Sequence, residues 1–265
     1  MRLEIQHETV YRYEHPLRFS AQYLRLTPYS NVAQHVLNWD IRAQGQITPW
    51  RDAYGNHCHT LVCEEPLTEV RVVAGGLVET SDTAGVLPYV GGLPIGAFLR
   101  STPLTAADAA IRDLAEPLRD VPDRIAALHS LAQSIAERVD YRSGGSDVTS
   151  TAAEILEAGQ GVCQDMAHLF LAAARSIGIP ARYVSGYLNT GELGDANMAS
   201  HAWAAGWVDD LGWLAFDIAN QICPTDAHVG LAIGLDYTGA APIRGVRHGV
   251  SQDEIMETQI RVTQA

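Results

Sequence analysis

Short runs that alternate polar and apolar residues fill the first 80 positions, and none of them has helical spacing. In the earliest run, Leu3, Ile5, Thr9, Tyr11 and Tyr13 all fall on odd-numbered positions. Because the side chains of a strand alternate between two faces, this spacing predicts a β-strand. Many short strands without a helix are typical of a β-sandwich, which we predict for residues 1–85. Further strand signals lie at residues 23–26, 36–41, 58–63 and 70–73, and turn-forming residues lie at 52–56.

Glycine and proline are concentrated between residues 74 and 96, which is typical of a linker or a domain edge. We therefore predict a linker over residues 86–103 and a second domain over residues 104–265. The second domain begins with apolar residues at helical spacing, over residues 105–118 and again over residues 123–139.

A T-x-x-E capping box formed by Thr151 and Glu154 begins a short helix, and Gly159 is a natural stop for it. The next helix begins near Cys163. Helices followed by an antiparallel sheet predict an α+β fold for the second domain. The strand candidates for that sheet lie at residues 181–188, 201–208 and 213–218.

Charge and composition exclude several classes of protein. The chain has 265 residues and a formal net charge of -13, so it repels nucleic acid. Its N-terminus has no apolar signal region, and no stretch reaches the ~20 apolar residues of a membrane span. We therefore expect no membrane partner and a cytoplasmic location. Four cysteines in a chain of this length are too few for a disulfide framework.

Cys163 stands at the start of a helix, directly after the sequence Gly159-Gln160-Gly161-Val162. The two glycines permit a sharp turn and leave room for a substrate to approach. Unpaired N–H groups and the positive end of the helix dipole favour a thiolate there, and the same N–H groups can hold an oxyanion. Cys163 is therefore a candidate nucleophile, although a buried structural cysteine is the alternative that its position leaves open.

His201 and Asp217 are the candidates for a base and for its orienting acid. His201 begins the strand HAWAAGW, where a lone histidine can also be purely structural. Asp217 ends the apolar run WLAFD, and a carboxylate there is costly unless it is paired. If the two strands form a hairpin, both side chains share a face only when the loop has an odd number of residues or a bulge. Gly212 permits the positive φ that a three-residue loop needs.

Four segments, in order along the chain, resemble the transglutaminase-like superfamily: GVCQDMAH at 161–168, RYVSGY at 182–187, HAW at 201–203 and WLAFD at 213–217. Three N-terminal patterns resemble the bacterial branch that carries an extra β domain: H-x-T-x-Y-x-Y at 7–13, L-R-L-x-P at 24–28 and D-x-x-G-N at 52–56. The resemblance covers nearly the whole chain.

The resemblance implies a papain-like core whose Cys-His-Asp triad acts on amide bonds. By position, Cys163 would attack, His201 would take and return the proton, and Asp217 would hold the imidazole. It implies a peptide or protein substrate with an amide, such as a glutamine side chain. Members of the bacterial branch are mostly described as proteases, so we expect hydrolysis. Cross-linking by transfer to an amine and a non-catalytic scaffold are the alternatives.

Four further residues are candidates for an oxyanion donor or a substrate contact. Gln164 follows the nucleophile, and Tyr141 precedes the sequence Arg-Ser-Gly-Gly. Asp236 and Tyr237 resemble an Asp-Tyr pair that the family places after its triad, near the cleft. The chain departs from the family pattern at Leu235, where arginine is common, and at residues 218–219, where Pro-Thr is usual.

A metal site is the alternative use of the segment that contains His57, Cys58, His59 and Cys63. Alternation places Cys58 on the face opposite the other three, and the paired ligand clusters of a zinc site are absent. We therefore expect no metal ion and no cofactor.

Overall fold

The computed structural model describes residues 1–88, 92–191, 200–248 and 254–265. Eight strands form the N-terminal part: β1 (Arg2–Leu17), β2 (Phe19–Thr27), β3 (Gln34–Ala43), β4 (Gln46–Arg51), β5 (His57–Cys63), β6 (Leu67–Thr80), β14 (Ile243–His248) and β15 (Glu254–Gln264). They make two four-stranded antiparallel sheets, with the strand orders β15-β1-β6-β3 and β14-β2-β5-β4. Tyr11 and Val72 from the first sheet pack against Leu24 and Leu61 from the second. The predicted β-sandwich is confirmed.

Five α-helices lie in the described residues between the sandwich strands β6 and β14. They are α1 (Ala109–Ala115), α2 (Arg124–Ala136), α3 (Ala152–Ala158), α4 (Cys163–Ser176) and α5 (Tyr237–Ala240). Side-chain caps set their starts, since Asp108 accepts a bond from the N–H of Ile111 and Thr151 forms the predicted capping box. The helix predicted over 105–118 is shorter, and Pro117 falls in the 3₁₀ turn that follows α1. No helix in the described ranges is long and apolar enough to cross a membrane.

The helix α4 is the centre of the second part and packs on one face of a five-stranded antiparallel sheet. Phe170 of α4 lies against Phe216 of the sheet, with 5.2 Å between the ring centroids. The predicted α+β arrangement is therefore confirmed. The sheet order is β13 (His228–Gly234), β10 (Ala181–Leu188), β11 (Ser200–Val208), β12 (Gly212–Phe216) and β7 (Val86–Leu87), and a separate parallel pair joins β8 (Asp140–Tyr141) to β9 (Gln160–Gly161).

The predicted domain limits differ from the strand pairing. Residues 243–264 were expected in the second domain, but β14 pairs with β2 and β15 pairs with β1, so both strands complete the sandwich. Residues 86–103 were expected to form a linker, but β7 pairs with Trp213 and Leu214 of the core sheet. The edges of β1, β2 and β12 offer unpaired N–H and C=O groups, and these distant segments satisfy them. The second part is thus an insertion between strands of the sandwich.

Ile260 of β15 tests this pairing because it is buried between the sandwich and the core sheet, beside Leu3, Ile5 and Val229. We predict that Ile260→Ala lowers the free energy of unfolding by about 2–5 kcal/mol, since it leaves a cavity in a packed interior. Ile255→Ala removes the same atoms from an exposed position of the same strand and should cost within about 0.5 kcal/mol. Urea unfolding of both variants measures the difference, and equal losses would contradict the placement of β15.

Candidate active site

The start of α4 presents Cys163 at the edge of the core. The helix α3 ends at Gly159, which has a φ of 65°, and α4 begins three residues after Gln160 with Cys163 as its first helical residue. A side chain at Gly161 would lie 2.9 Å from the Cβ atom of Asp165, so only glycine fits there. Cys163 is half-buried and packs against the main apolar core. Gly159 thus permits the predicted turn, and Gly161 is required by its contact with Asp165. The predicted room for a substrate stays a prediction.

Asp165 stabilises the first turn of α4 through hydrogen bonds of its side chain. Its Oδ2 atom accepts bonds from the N–H of Val162 at 2.9 Å and from the hydroxyl of Ser146 at 2.5 Å. Burial raises the pKa of this carboxyl, and the two bonds act against burial. The N–H groups of the first turn have no partner within the helix. The N–H of Cys163 is therefore placed to donate to an oxyanion next to its own sulfur.

The hairpin of β11 and β12 satisfies the parity condition. Residues 209–211 form a three-residue loop, because Val208 pairs with Gly212 and Trp207 with Trp213. Gly212 has a φ of 108°, and a side chain there would lie 2.6 Å from the carbonyl oxygen of Leu87. The register places Asp217 and His201 on the same face of the sheet.

His201 joins Cys163 to Asp217. Its Nε2 atom lies 2.7 Å from Oδ2 of Asp217, and the Cys163 thiol lies close enough to its ring to help raise the pKa of the imidazole. Since Nε2 faces Asp217, Nδ1 is the nitrogen left for the sulfur. Burial alone would lower the pKa of His201, but the bonds and charges of Asp217 and Cys163 outweigh burial and raise the pKa to about 10. The imidazolium form is thus strongly stabilised in this site.

Asp217 is fully buried and accepts more than the bond from His201. Its Oδ2 atom also lies 3.0 Å from Nε2 of His228 and 2.7 Å from the side-chain amide nitrogen of Asn220. Its Oδ1 atom accepts the backbone N–H of Asn220 at 3.3 Å. Burial acts to raise the pKa of this carboxyl, but the bonds with His201, His228 and Asn220 hold it well below its usual range. The carboxylate is therefore ionised at every pH near neutrality.

The contacts of His228 define its tautomer. Its Nδ1 atom accepts the backbone N–H of Thr225 at 3.1 Å, so Nε2 carries the proton in the neutral ring. That proton points at Oδ2 of Asp217. A neutral His228 can therefore donate to Asp217 and leave the positive charge of the site on His201.

The sequence interpretation missed His228. The residue begins an apolar strand, as His201 does, and that similarity is the signal that could have found it. His201, Asp217 and His228 are also the group of described residues whose ligand atoms, all within 4.8 Å, could hold a metal ion. Both Nε2 atoms already bond to the same carboxylate oxygen, which accounts for this geometry without an ion.

The other predicted site residues have different surroundings. Tyr141 lies opposite Gly161 in the parallel pair, and its pKa is raised by burial and then by the charge of Cys163. Gln164 is half-buried in the first turn of α4. Asp236 caps α5 through the N–H of Gly239, and the backbone N–H of Tyr237 donates to His168. Their predicted contact with a substrate stays a prediction.

The three remaining cysteines lack such surroundings. Cys58 and Cys63 are buried in β5, and their thiols donate to the backbone carbonyls of Asn56 and Gln44. Burial raises the pKa of Cys58 to about 11 and also raises the pKa values of Cys63 and Cys223. Cys163, by contrast, helps to raise the pKa of His201.

A cysteine at a helix start, joined through histidine to a buried aspartate on an antiparallel sheet, defines the class of transglutaminase-like folds. Family models agree with this class. One described as the transglutaminase-like superfamily matches residues 112–218, and one described as the bacterial transglutaminase-like N-terminal region matches residues 3–79. The chain belongs to the transglutaminase-like superfamily.

Two of the similar proteins match nearly the whole length of this chain. An uncharacterized protein of Mycobacterium bovis is 30% identical, with 98% of this chain and 92% of that protein covered. A solved structure from Cytophaga hutchinsonii, described as a candidate cysteine protease, has a TM-score of 0.77 and 21% identity and covers 98% of this chain and 90% of its own. A protein-glutamine gamma-glutamyltransferase of Pseudomonas aeruginosa is 31% identical over 36% of this chain and 16% of that protein.

The charge of Asp217 can be tested through His201. We predict that Asp217→Asn lowers the pKa of His201 well below its wild-type value of about 10, because a charged partner and its hydrogen bond are both weakened. Asp209→Asn makes the same change in the exposed hairpin loop and should leave that pKa unchanged. NMR titration of the histidine ring carbons measures both. An unchanged His201 titration in Asp217→Asn would contradict the described pairing.

The two bonds of His228 can be separated by two amide substitutions. In His228→Gln the side-chain N–H reaches the position of Nε2, whereas in His228→Asn the amide reaches only the position of Nδ1. Losing the bond to the charged Asp217 should cost His228→Asn about 1.5–3 kcal/mol, and losing the neutral bond to Thr225 should cost His228→Gln about 0.5–1.5 kcal/mol. Urea unfolding at pH 7 gives both values, and the reverse order would disprove the assignment.

Proposed function

We propose that this protein is a cysteine-dependent amide hydrolase that works through an acyl-enzyme on Cys163. The observation that carries the proposal is the hydrogen bond between His201 and the buried Asp217, beside Cys163 at the start of α4. This arrangement supplies a nucleophile, a base and an orienting acid within one site. The substrate class is a peptide or protein amide.

The first step is attack by the Cys163 sulfur on the amide carbonyl carbon. His201, whose imidazolium form is stabilised, already holds the thiol proton on Nδ1, so the sulfur attacks as a thiolate. The carbonyl oxygen becomes an oxyanion that accepts from the N–H of Cys163. The carbon–nitrogen bond then breaks while His201 returns the proton to the leaving amine. A thioester to Cys163 remains. Asp217 supports this step because it holds the ring of His201 and stabilises its positive form.

The second step releases the acyl group. Water attacks the thioester, His201 takes one of its protons, and the thiolate leaves as the carboxylic acid is formed. Tyr141 lies opposite Gly161, two residues before Cys163, and its hydroxyl is our candidate for the second oxyanion donor. The raised pKa of Tyr141 keeps its phenol protonated at neutral pH, so it can donate.

A primary amine could replace water in the second step and would give a cross-linking transglutaminase instead. The same three residues serve both reactions. The Pseudomonas aeruginosa relative, named for glutamyl transfer, supports the alternative, whereas the Cytophaga hutchinsonii relative, described as a candidate protease, supports hydrolysis. We favour hydrolysis because the protein described as a protease matches the whole chain. The cytoplasmic location expected from the sequence stays a prediction.

A reactive ester tests the acyl-enzyme without knowledge of the natural substrate. We expect 4-nitrophenyl acetate to acetylate Cys163 at pH 7 at least about ten times faster than Cys223, the other half-exposed cysteine. Mass spectrometry of peptides locates the acetyl group. His201→Gln should slow the reaction at Cys163 but not at Cys223, because the base acts on one sulfur only.

The product released from the acetyl-enzyme then shows whether water or an amine is the acceptor. With cadaverine added, we expect acetate as the main product, and acetylcadaverine as the main product would favour the cross-linking alternative. If Cys163 reacts no faster than Cys223, the enzyme proposal fails and a non-catalytic scaffold that retains the fold becomes the better explanation.

A further inference from the structure

A cavity of about 750 Å³ lies between the sandwich and the face of the core sheet opposite α4. Tyr29, Tyr54 and His57 of the sandwich part line one side, and Phe98, Arg182 and Trp213 line the other. This volume is typical of sites for small ligands, and the aromatic lining is typical as well. A smaller lobe of about 50 Å³ continues along the same sheet face to His228. The proposed mechanism uses neither space.

Arg182 is the charged group buried at this cavity. Its residue is only 8% exposed, and its guanidinium lies over the ring of Trp213 at 4.4 Å from the centroid. Its Nε atom is buried without a hydrogen-bond partner, and the structure gives Arg182 no ion pair with a described residue. Burial lowers the pKa of Arg182 to about 10, so the side chain stays positive at neutral pH. Stacking on tryptophan offsets only part of the cost of burying such a charge.

A second buried arginine shows how this protein satisfies a guanidinium that has a purely structural role. Arg175 donates to the carbonyl oxygens of Phe98, Ala181 and Leu235 and to the hydroxyl of Thr105. Arg182 lies on β10 and is buried to the same extent as Arg175, yet it has none of these acceptors. The difference indicates that the donors of Arg182 are kept for a group that is not part of the described chain.

The residues that line the cavity determine the sign of the charge and the size of the group that fits there. Among the residues that the structure describes, no aspartate or glutamate lines the cavity or its lobe, although the chain has a net charge of -13. Arg51 and His57 add positive or polar groups on the sandwich side. One buried cation balances one negative charge, so a carboxylate fits better than a doubly charged phosphate.

We infer that this cavity is a binding site for a monocarboxylate carried on an aromatic or apolar body, with Arg182 as its anchor. The carboxylate would receive two parallel N–H bonds from the guanidinium, and the body would lie among Tyr54, Phe98 and Trp213. Either a small aromatic acid or the C-terminal carboxylate of a peptide has this chemistry. The site is separate from Cys163, so the inference does not depend on the proposed reaction.

Calorimetric titration of the full chain with matched acids and amides tests the inference. The probes are benzoate against benzamide, acetyl-phenylalanine against its amide, and inorganic phosphate. We expect at least one acid to bind about ten times or more tightly than its amide, because a bond to a charged partner is lost in the amide. The tighter of the two acids identifies the source of the carboxylate. Equal binding of acids and amides, tighter binding of phosphate, or no binding of either acid would overturn the inference.

Variants locate the site. Arg182→Met keeps the bulk of the side chain, removes its charge and should weaken binding of the acid by about ten-fold or more. Val32→Trp changes an exposed lining residue at the mouth and should weaken binding without a change in the buried core. Val246→Trp, on the exposed strand β14, is its control and should bind as the wild type does. If Arg182→Met does not fold, wild-type binding by Val32→Trp is enough to overturn the inference.

Discussion

The buried carboxylate of Asp217 is the constraint on which the candidate site depends. An ionised group with no exposure to water is stable only if donors surround it, and the chain brings these donors from three separate segments. His201 comes from β11, Asn220 from the loop after β12, and His228 from the start of β13. The strands on both sides of β10 must therefore be in register before the carboxylate is satisfied. The strand order of the core sheet and the geometry of the site therefore depend on each other.

The helix α4 meets this sheet with polar groups at both of its ends and apolar groups between them. At its start, Asp165 holds the turn that presents Cys163. Near its end, Arg175 ties together the segment after the sandwich, the start of β10 and the residue after β13 through carbonyl oxygens. Each of these segments lies on a path between the sandwich and the site. The helix thus keeps the sulfur at a fixed distance from the strand that carries His201.

Local chemistry explains which features could be predicted from the sequence. The glycines before Cys163 and the capping box of Thr151 and Glu154 each act within a few neighbours, and the structure contains both. Asp217 could be singled out because a carboxylate at the end of an apolar run needs a partner, which the structure supplies. His228 was not assigned, because its only local signal is its place at the start of a strand and its partner is set by strand register. The strands β14 and β15 were missed for the same reason. Their partners β2 and β1 lie more than 200 residues earlier, and such pairing leaves no local pattern.

The pairing of β15 with β1 has a consequence for how the chain is made. Residues 254–264 are synthesised more than 200 residues after β1, so β1 must wait for its second neighbour until they emerge from the ribosome. During that time one edge of the sandwich is open, and the inserted core can form before the sheet around its ends is closed. Contacts over such sequence separations form slowly, and open strand edges favour pairing with other chains. The nascent protein is therefore most vulnerable to aggregation before residues 254–264 emerge.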